Sequence, residues 1–172
     1  MSTLCIRLAR RGDARAMAVL SRDLIETGLG WSWTPQRLSA SLRDRATNGL
    51  VAVDGQRVIG FALMKYLDEE AHLLLLAVVP ERRRAGVGRA LLAWLETTAL
   101  VAGIGTLELE VRAGNRDARA FYRGLGFEEC GSLSGYYSGR EAAVRMRHSL
   151  WVPTSGQAAL GKPGEPAWRP PS

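Results

Sequence analysis

The residues most able to do chemistry cluster in Arg83-Arg84-Ala85-Gly86-Val87-Gly88-Arg89. This segment follows the apolar run His72-Leu73-Leu74-Leu75-Leu76-Ala77-Val78-Val79, closed by Pro80, and precedes an amphipathic stretch. Two glycines there let backbone approach a ligand closely. A helix start supplies unpaired N–H groups and the positive end of a dipole, which together suit phosphate. Arginines beside the turn add charge-assisted bonds to phosphate oxygens. The chemistry is that of a nucleotide-type cofactor. A P-loop is excluded because no Lys-Ser or Lys-Thr follows the glycines, and a dinucleotide loop lacks its third glycine. The competing reading is a tight turn whose arginines point into solvent.

The elements that must position this turn follow from periodicity. Residues 3–9 read as a strand. Asp13 serves as N-cap of a helix to about 26, with Ala16, Val19, Leu20 and Leu24 on one face. Residues 28–33 form a loop holding Trp31 and Trp33. Thr34 as N-cap and Pro35 at the first position open a helix to about 46. Strands at 49–54 and 57–66 form a hairpin through Asp54-Gly55. The run 72–79 predicts a central strand buried on both faces. A helix from 87 to 102 turns Leu91, Leu92 and Leu95 inward and stops at Gly103 and Gly105. Over 106–112, Leu107, Leu109 and Val111 alternate with Glu108, Glu110 and Arg112. Asn115 opens a helix to Leu125, and strands at 127–133 and 141–149 complete the order β-α-α-β-β-β-α-β-α-β-β. The fold class is α/β (α+β), with a mixed, partly parallel sheet flanked by helices. A domain over 1–151 is followed by a Pro/Gly-rich tail over 152–172.

Composition sets outer limits. The chain has 172 residues, enough for one domain with its own core. No apolar run approaches the ~20 residues of a membrane span, and the first residues do not read as a secretory signal. A cytoplasmic address is expected. Cys5 and Cys130 have no metal-like spacing and are expected as reduced core residues, with no metal site. The net charge of +6 raises a nucleic-acid reading. Lysine occurs only at Lys65 and Lys162, so the charge reflects an arginine-rich composition, and no basic stripe interleaves with aromatics.

Leu-Ala-Val-Val-Pro followed by Arg-Arg-Ala-Gly-Val-Gly resembles the (Q/R)-x-x-G-x-(G/A) motif of the GCN5-related N-acetyltransferase (GNAT) family. Asn115, Phe121-Tyr122 and Leu125-Gly126-Phe127 match a second recurrent pattern of that family. The similarity is greatest to the branch that acetylates the α-amino group of a ribosomal protein. That branch shares Leu109-Glu110-Val111-Arg112 and Tyr136-Tyr137-Ser138-Gly139-Arg140-Glu141, although the loop between the last strands is shorter here. The resemblance covers 60–148 well and 3–59 in outline.

The resemblance implies the GNAT fold and transfer of an acetyl group from acetyl-CoA to a primary amine. Backbone of Leu76, Ala77 and Val78 would meet the pantetheine arm. Arg84, Ala85, Gly86, Val87, Gly88 and Arg89 would surround the pyrophosphate, and Asn115 would hold the cofactor. Glu110 corresponds to the branch's base and Tyr122 to its acid. The chemistry agrees, because a protonated amine cannot attack a thioester and a departing thiolate gains from a proton donor. Other readings stay open: Glu110 as a solvent-facing strand residue, Tyr122 as packing, Asn115 as an N-cap only. His72 has no partner suggested by spacing and reads as structural. Trp31 and Trp33 line a substrate groove or plug a core edge. The acceptor is a protein N-terminal α-amine or a small-molecule amine. A non-catalytic acyl-CoA-binding module is the alternative outside enzymes. No membrane or nucleic-acid partner is expected, and a homodimer is compatible with the sequence.

Overall fold

The computed structural model describes residues 3–137, 139 and 141–151, and the expected tail over 152–172 lies outside them. Seven strands form one sheet: β1 (Leu4–Leu8), β2 (Thr47–Asp54), β3 (Arg57–Tyr66), β4 (Ala71–Val78), β5 (Thr106–Arg112), β6 (Glu128–Tyr137) and β7 (Glu141–Ser149). Four helices join them: α1 (Ala14–Leu24), α2 (Pro35–Arg43), α3 (Val87–Val101) and α4 (Arg116–Gly124). The chain order is the one expected from periodicity. Spatial order is β1-β2-β3-β4-β5-β7-β6, all neighbours antiparallel except β4 and β5.

Two apolar layers cover the sheet. Leu91, Leu92 and Leu95 of α3 pack with Ala71, Leu73, Leu107, Leu109 and Phe127 on one face. Met17 and Ala18 of α1 and Leu38 of α2 pack with Phe61, Leu63, Leu75 and Ala77 on the other. Between these sets β4 carries a bulge: Leu63 pairs with Leu75 while Met64 pairs with Leu73, leaving Leu74 as the extra residue.

Several boundaries differ from expectation for local reasons. Asp13 is not the side-chain cap of α1. It ends a 3-10 turn (Arg11–Asp13), and its carboxylate accepts from the Arg10 amide at 2.7 Å and from Arg7. Helix α2 ends at Arg43, because the Asp44 carboxylate accepts from the Ala46 amide at 2.9 Å and turns the chain into β2. Strand β4 is not buried on both faces throughout: His72, Leu74, Leu76 and Val78 are half-buried. Strand β6 continues to Tyr137, so Tyr136 and Tyr137 lie on a strand rather than in a loop. Cys5 and Cys130 are free but exposed, on the two edge strands, not in the core. Trp33 packs against the core with the Arg37 guanidinium 3.8 Å from its ring, so it plugs a core edge.

Candidate active site

The turn before α3 has the conformation that its glycines imply. Gly86 sits at φ +82° as the helix N-cap, and Arg84 is the one non-glycine residue with positive φ, at +61°, among the described residues. The first bond of the helix runs from the Ala90 amide to the Gly86 carbonyl at 3.0 Å. The amides of Val87, Gly88 and Arg89 therefore precede the helical ladder and have no i−4 partner. A Cβ added at Gly86 would meet nothing within 4 Å, whereas one at Gly88 would lie 3.2 Å from Phe121. The two glycines thus differ in role: Gly86 keeps a cradle open, and Gly88 lets α3 approach α4. Arg82 pairs with Asp54, and Arg83 donates to the Val78 carbonyl at 3.0 Å. These bonds fasten the turn to β2 and β4.

Strand β4 leads into that turn along a partly open edge. It pairs with β5 only at Ala71↔Leu107 and His72↔Glu108. Beyond His72 the two parallel strands separate, so Leu76, Ala77 and Val78 have no β5 partner. An extended, amide-bearing chain such as pantetheine fits this unpaired edge. The wedge ends at the open cradle of the turn, which suits a pyrophosphate. Among the described residues no group of three or more His, Cys, Asp or Glu is placed to hold a metal ion.

Glu110 lies where β4 and β5 part, and it is not a solvent-facing residue. Its side chain is 7% exposed. One carboxylate oxygen meets His72 Nε2, and the other accepts from Arg145 Nε at 3.2 Å. Arg145 is its cross-strand partner on β7. The next rung repeats the arrangement, with buried Glu108 bound by Arg147. Burial pushes the Glu110 carboxyl upward, but His72 and Arg145 outweigh it and hold it below the usual carboxylate value. Glu110 in turn raises the His72 imidazole above its ordinary 6.5 against the opposing effect of burial.

Tyr122 projects from α4 into the α3-side core, 8% exposed, edge-on to Phe121 and Phe127. Burial pushes its phenol far above the ordinary value of 10.0, so it stays protonated at neutral pH. A proton donor needs that state. Asn115 is exposed, and its side-chain oxygen accepts from the Ala118 amide at 3.1 Å. It is the N-cap of α4, and its NH2 group remains for other partners.

On the α1–α2 side, Arg112 ties the walls together. Its Nη2 donates to the Thr27 carbonyl at 2.7 Å, its Nε lies 3.6 Å from Glu141, and its guanidinium sits over Tyr137. The loop itself is fixed by buried Glu26, which accepts from Ser21, from Ser32 and from the Trp33 amide. Trp31 donates to the Ala18 carbonyl at 3.2 Å and stays 39% exposed. Sequence reading missed His72, Arg145 and Arg112 as members of the site. The signal was there in part: Arg145 and Arg147 alternate on the expected strand 141–149, as Glu108 and Glu110 do on the expected strand 106–112.

Residues 18–127 match the family described as the Acetyltransferase (GNAT) family. Ribosomal protein bS18-alanine N-acetyltransferase of Escherichia coli K12 is 37% identical over 117 residues, covering 66% of this chain and 78% of that protein. The crystal structure of the ribosomal-protein-S18-alanine N-acetyltransferase from Escherichia coli superposes with a TM-score of 0.74 at 27% identity, over 90% of this chain and 98% of that one. Ard1 from Thermoplasma volcanium superposes with a TM-score of 0.75, also at 27% identity, over 86% and 97%.

Proposed function

This chain belongs to the GNAT family of acetyltransferases, and on that premise we propose that its acceptor is the α-amino group of a protein N-terminus. The activity is acetyl-CoA-dependent N-acetylation of a primary amine. The observation that carries the site assignment is the parting of β4 from β5, with an open phosphate cradle at one end and Glu110 at the other. The similar Escherichia coli enzyme acts, by its name, on the alanine of a ribosomal protein, which favours a protein acceptor over a small amine. The domain on this reading is 1–151, in the cytoplasm.

When bound, acetyl-CoA supplies the acetyl group as a thioester. The backbone of Leu76, Ala77 and Val78 lines its arm, and Arg84, Ala85, Gly86, Val87, Gly88 and Arg89 surround its pyrophosphate, with Asn115 alongside. Glu110 draws the proton from the ammonium so that a lone pair is available. As the amine nitrogen bonds the acetyl carbon, the carbon–sulfur bond breaks and the Tyr122 hydroxyl protonates the departing sulfur. The second N–H proton, made acidic by acylation, restores the phenol. No cysteine is required as a nucleophile, and Cys5 and Cys130 lie on the outer strands.

The test is incubation of the protein with isotopically labelled acetyl-CoA and three acceptors. These are a peptide with free N-terminal alanine, the same peptide blocked at its N-terminus but carrying lysine, and a small polyamine. Mass spectrometry should place the label on the free α-amine. Labelling of the polyamine alone overturns the reading.

A further inference from the structure

Glu110 alone is poorly matched to the task assigned to it. Both its oxygens are engaged, one by the His72 ring and one by the Arg145 guanidinium, and its side chain is 7% exposed. Its proton affinity lies below the ordinary carboxylate value of 4.5. An α-ammonium titrates near ~8, and proton transfer is most effective when the base approaches the operating pH. The partner in contact with it has neither limitation. The His72 side chain is 22% exposed, and its titration lies nearer to that of an α-amine.

We propose that the proton leaving the acceptor amine comes to rest on His72, with Glu110 as the carboxylate that orients the ring and keeps the resulting imidazolium in place. This rests on the N-acetyltransferase reading of the same site and adds a residue to it. In the step, one ammonium N–H bond breaks and the proton is taken up at Nδ1 of the His72 ring, while Nε2–H goes on donating to Glu110 Oε2. The ring becomes cationic while the carboxylate stays ionised. The amine keeps the electron pair with which it attacks. The geometry is fixed by three strands: His72 on β4 lies beside Glu108 of β5, and Glu110 is the next residue along that face. Arg145 of β7 holds the carboxylate from the opposite side.

The charged groups around the ring are Glu110 and Glu108 on β5, Glu70 before β4, Lys65 across on β3, and Arg145 and Arg147 on β7. The nearest charge is the Glu110 carboxylate, and the three glutamates all favour imidazolium. The phenol of Tyr136 is placed near Glu110 and stays neutral in the working range, since burial raises it above 10.0. Such a base suits α-amines better than lysines, whose ammonium near ~10.4 holds its proton far more tightly.

The experiment compares wild type, His72→Gln and Glu110→Gln with acetyl-CoA and a peptide bearing free N-terminal alanine, with kcat/KM measured from pH 5.5 to 9. The wild type should show an acid limb whose midpoint coincides with the His72 ring titration followed by NMR. His72→Gln should lose that limb and fall roughly 100-fold at pH 7.5, within the range of a general base. Its calorimetric affinity for acetyl-CoA should stay within about twofold, since His72 lies outside the proposed cofactor contacts, an expectation from the pairing of β4. In Glu110→Gln the ring should titrate lower than in wild type. An unaltered acid limb in His72→Gln overturns the proposal alone. So does a kinetic midpoint separated from the ring titration, a comparison that needs no variant to fold. If the wild type acetylates no amine at any pH, the acceptor reading falls and the proposal falls with it.

Discussion

The two ends of β4 are built on opposite terms. Near its start, side chains matter: His72 meets Glu110, and Arg145 and Arg147 reach in from β7 to complete a buried ladder of charges. Near its end, backbone matters: the strand parts from β5 and runs into a turn with positive φ at Arg84 and Gly86. One end has nearly every polar side chain paired, and the other leaves main-chain groups unpaired. Proton handling requires charges that are held in place, whereas binding a long, polar cofactor requires amides with no prior engagement. The parting of two parallel strands supplies both within a few residues.

The contrast can be broken most forcefully at the turn. Gly86→Val places a branched side chain at φ +82° and fills the open cradle. Strain of that kind costs about 1–3 kcal/mol and is relieved when the turn leaves its open conformation, so acetyl-CoA affinity by calorimetry should weaken ~100-fold. Undiminished affinity would mean that phosphate does not sit there. Next in size, Tyr122→Phe should lower kcat by roughly 100-fold while leaving acetyl-CoA affinity within about twofold. An equal loss in both quantities would make the ring a packing residue.

Arg112→Met sharpens the comparison on the acceptor side. It removes the bond to the Thr27 carbonyl and the contact with Tyr137. We expect KM for the peptide to rise roughly tenfold, the size of about 1.4 kcal/mol, with acetyl-CoA affinity unchanged. A change confined to acetyl-CoA affinity would place Arg112 on the cofactor side instead.

The smallest effect is on stability. Glu110 is lowered from 4.5, so its contribution is present above that value and disappears as pH falls through its folded-state value. His72 is raised from 6.5, so its contribution is complete below 6.5 and disappears as pH rises through its folded-state value. The pair therefore stabilises fully between pH 4.5 and 6.5. Relative to wild type, His72→Gln should lower Tm by ~2 °C within that window and by less above pH 8. A Tm difference independent of pH would show that the pair is not ionised as described. Activity should follow the opposite course, rising as His72 loses its proton.

What was legible in the sequence was what neighbouring residues decide. The element order, the turn before α3 and the N-caps at Thr34 and Asn115 are set by residues a few positions apart. The pairing of His72 with Glu110 spans 38 positions and depends on which residues of two parallel strands stand side by side. Spacing alone cannot supply that register. The apolar run of β4 likewise concealed that its strand loses its neighbour halfway along. Asp13 was misread because aspartate before a helix suggests a cap, whereas here Arg7 and the Arg10 amide claim it. Glu110 itself was found through a resemblance, not through composition or periodicity.

The extra residue at Leu74 acts as a phase shift in an otherwise two-beat pattern. Ahead of it, Ala71 and Leu73 belong to the layer under α3; past it, Leu75 and Ala77 belong to the layer under α1 and α2. With Leu74 deleted, Leu73 and Leu75 would be neighbours and plain alternation would serve both layers; with Leu74 kept as an ordinary ladder residue, it could not. In that unbulged strand, if the downstream half kept its seat, His72 would swing beneath α3, across the sheet from Glu110, and Ala71 and Leu73 would take its side. The looping of one leucine out of the ladder thus decides on which side of the sheet this enzyme keeps its imidazole.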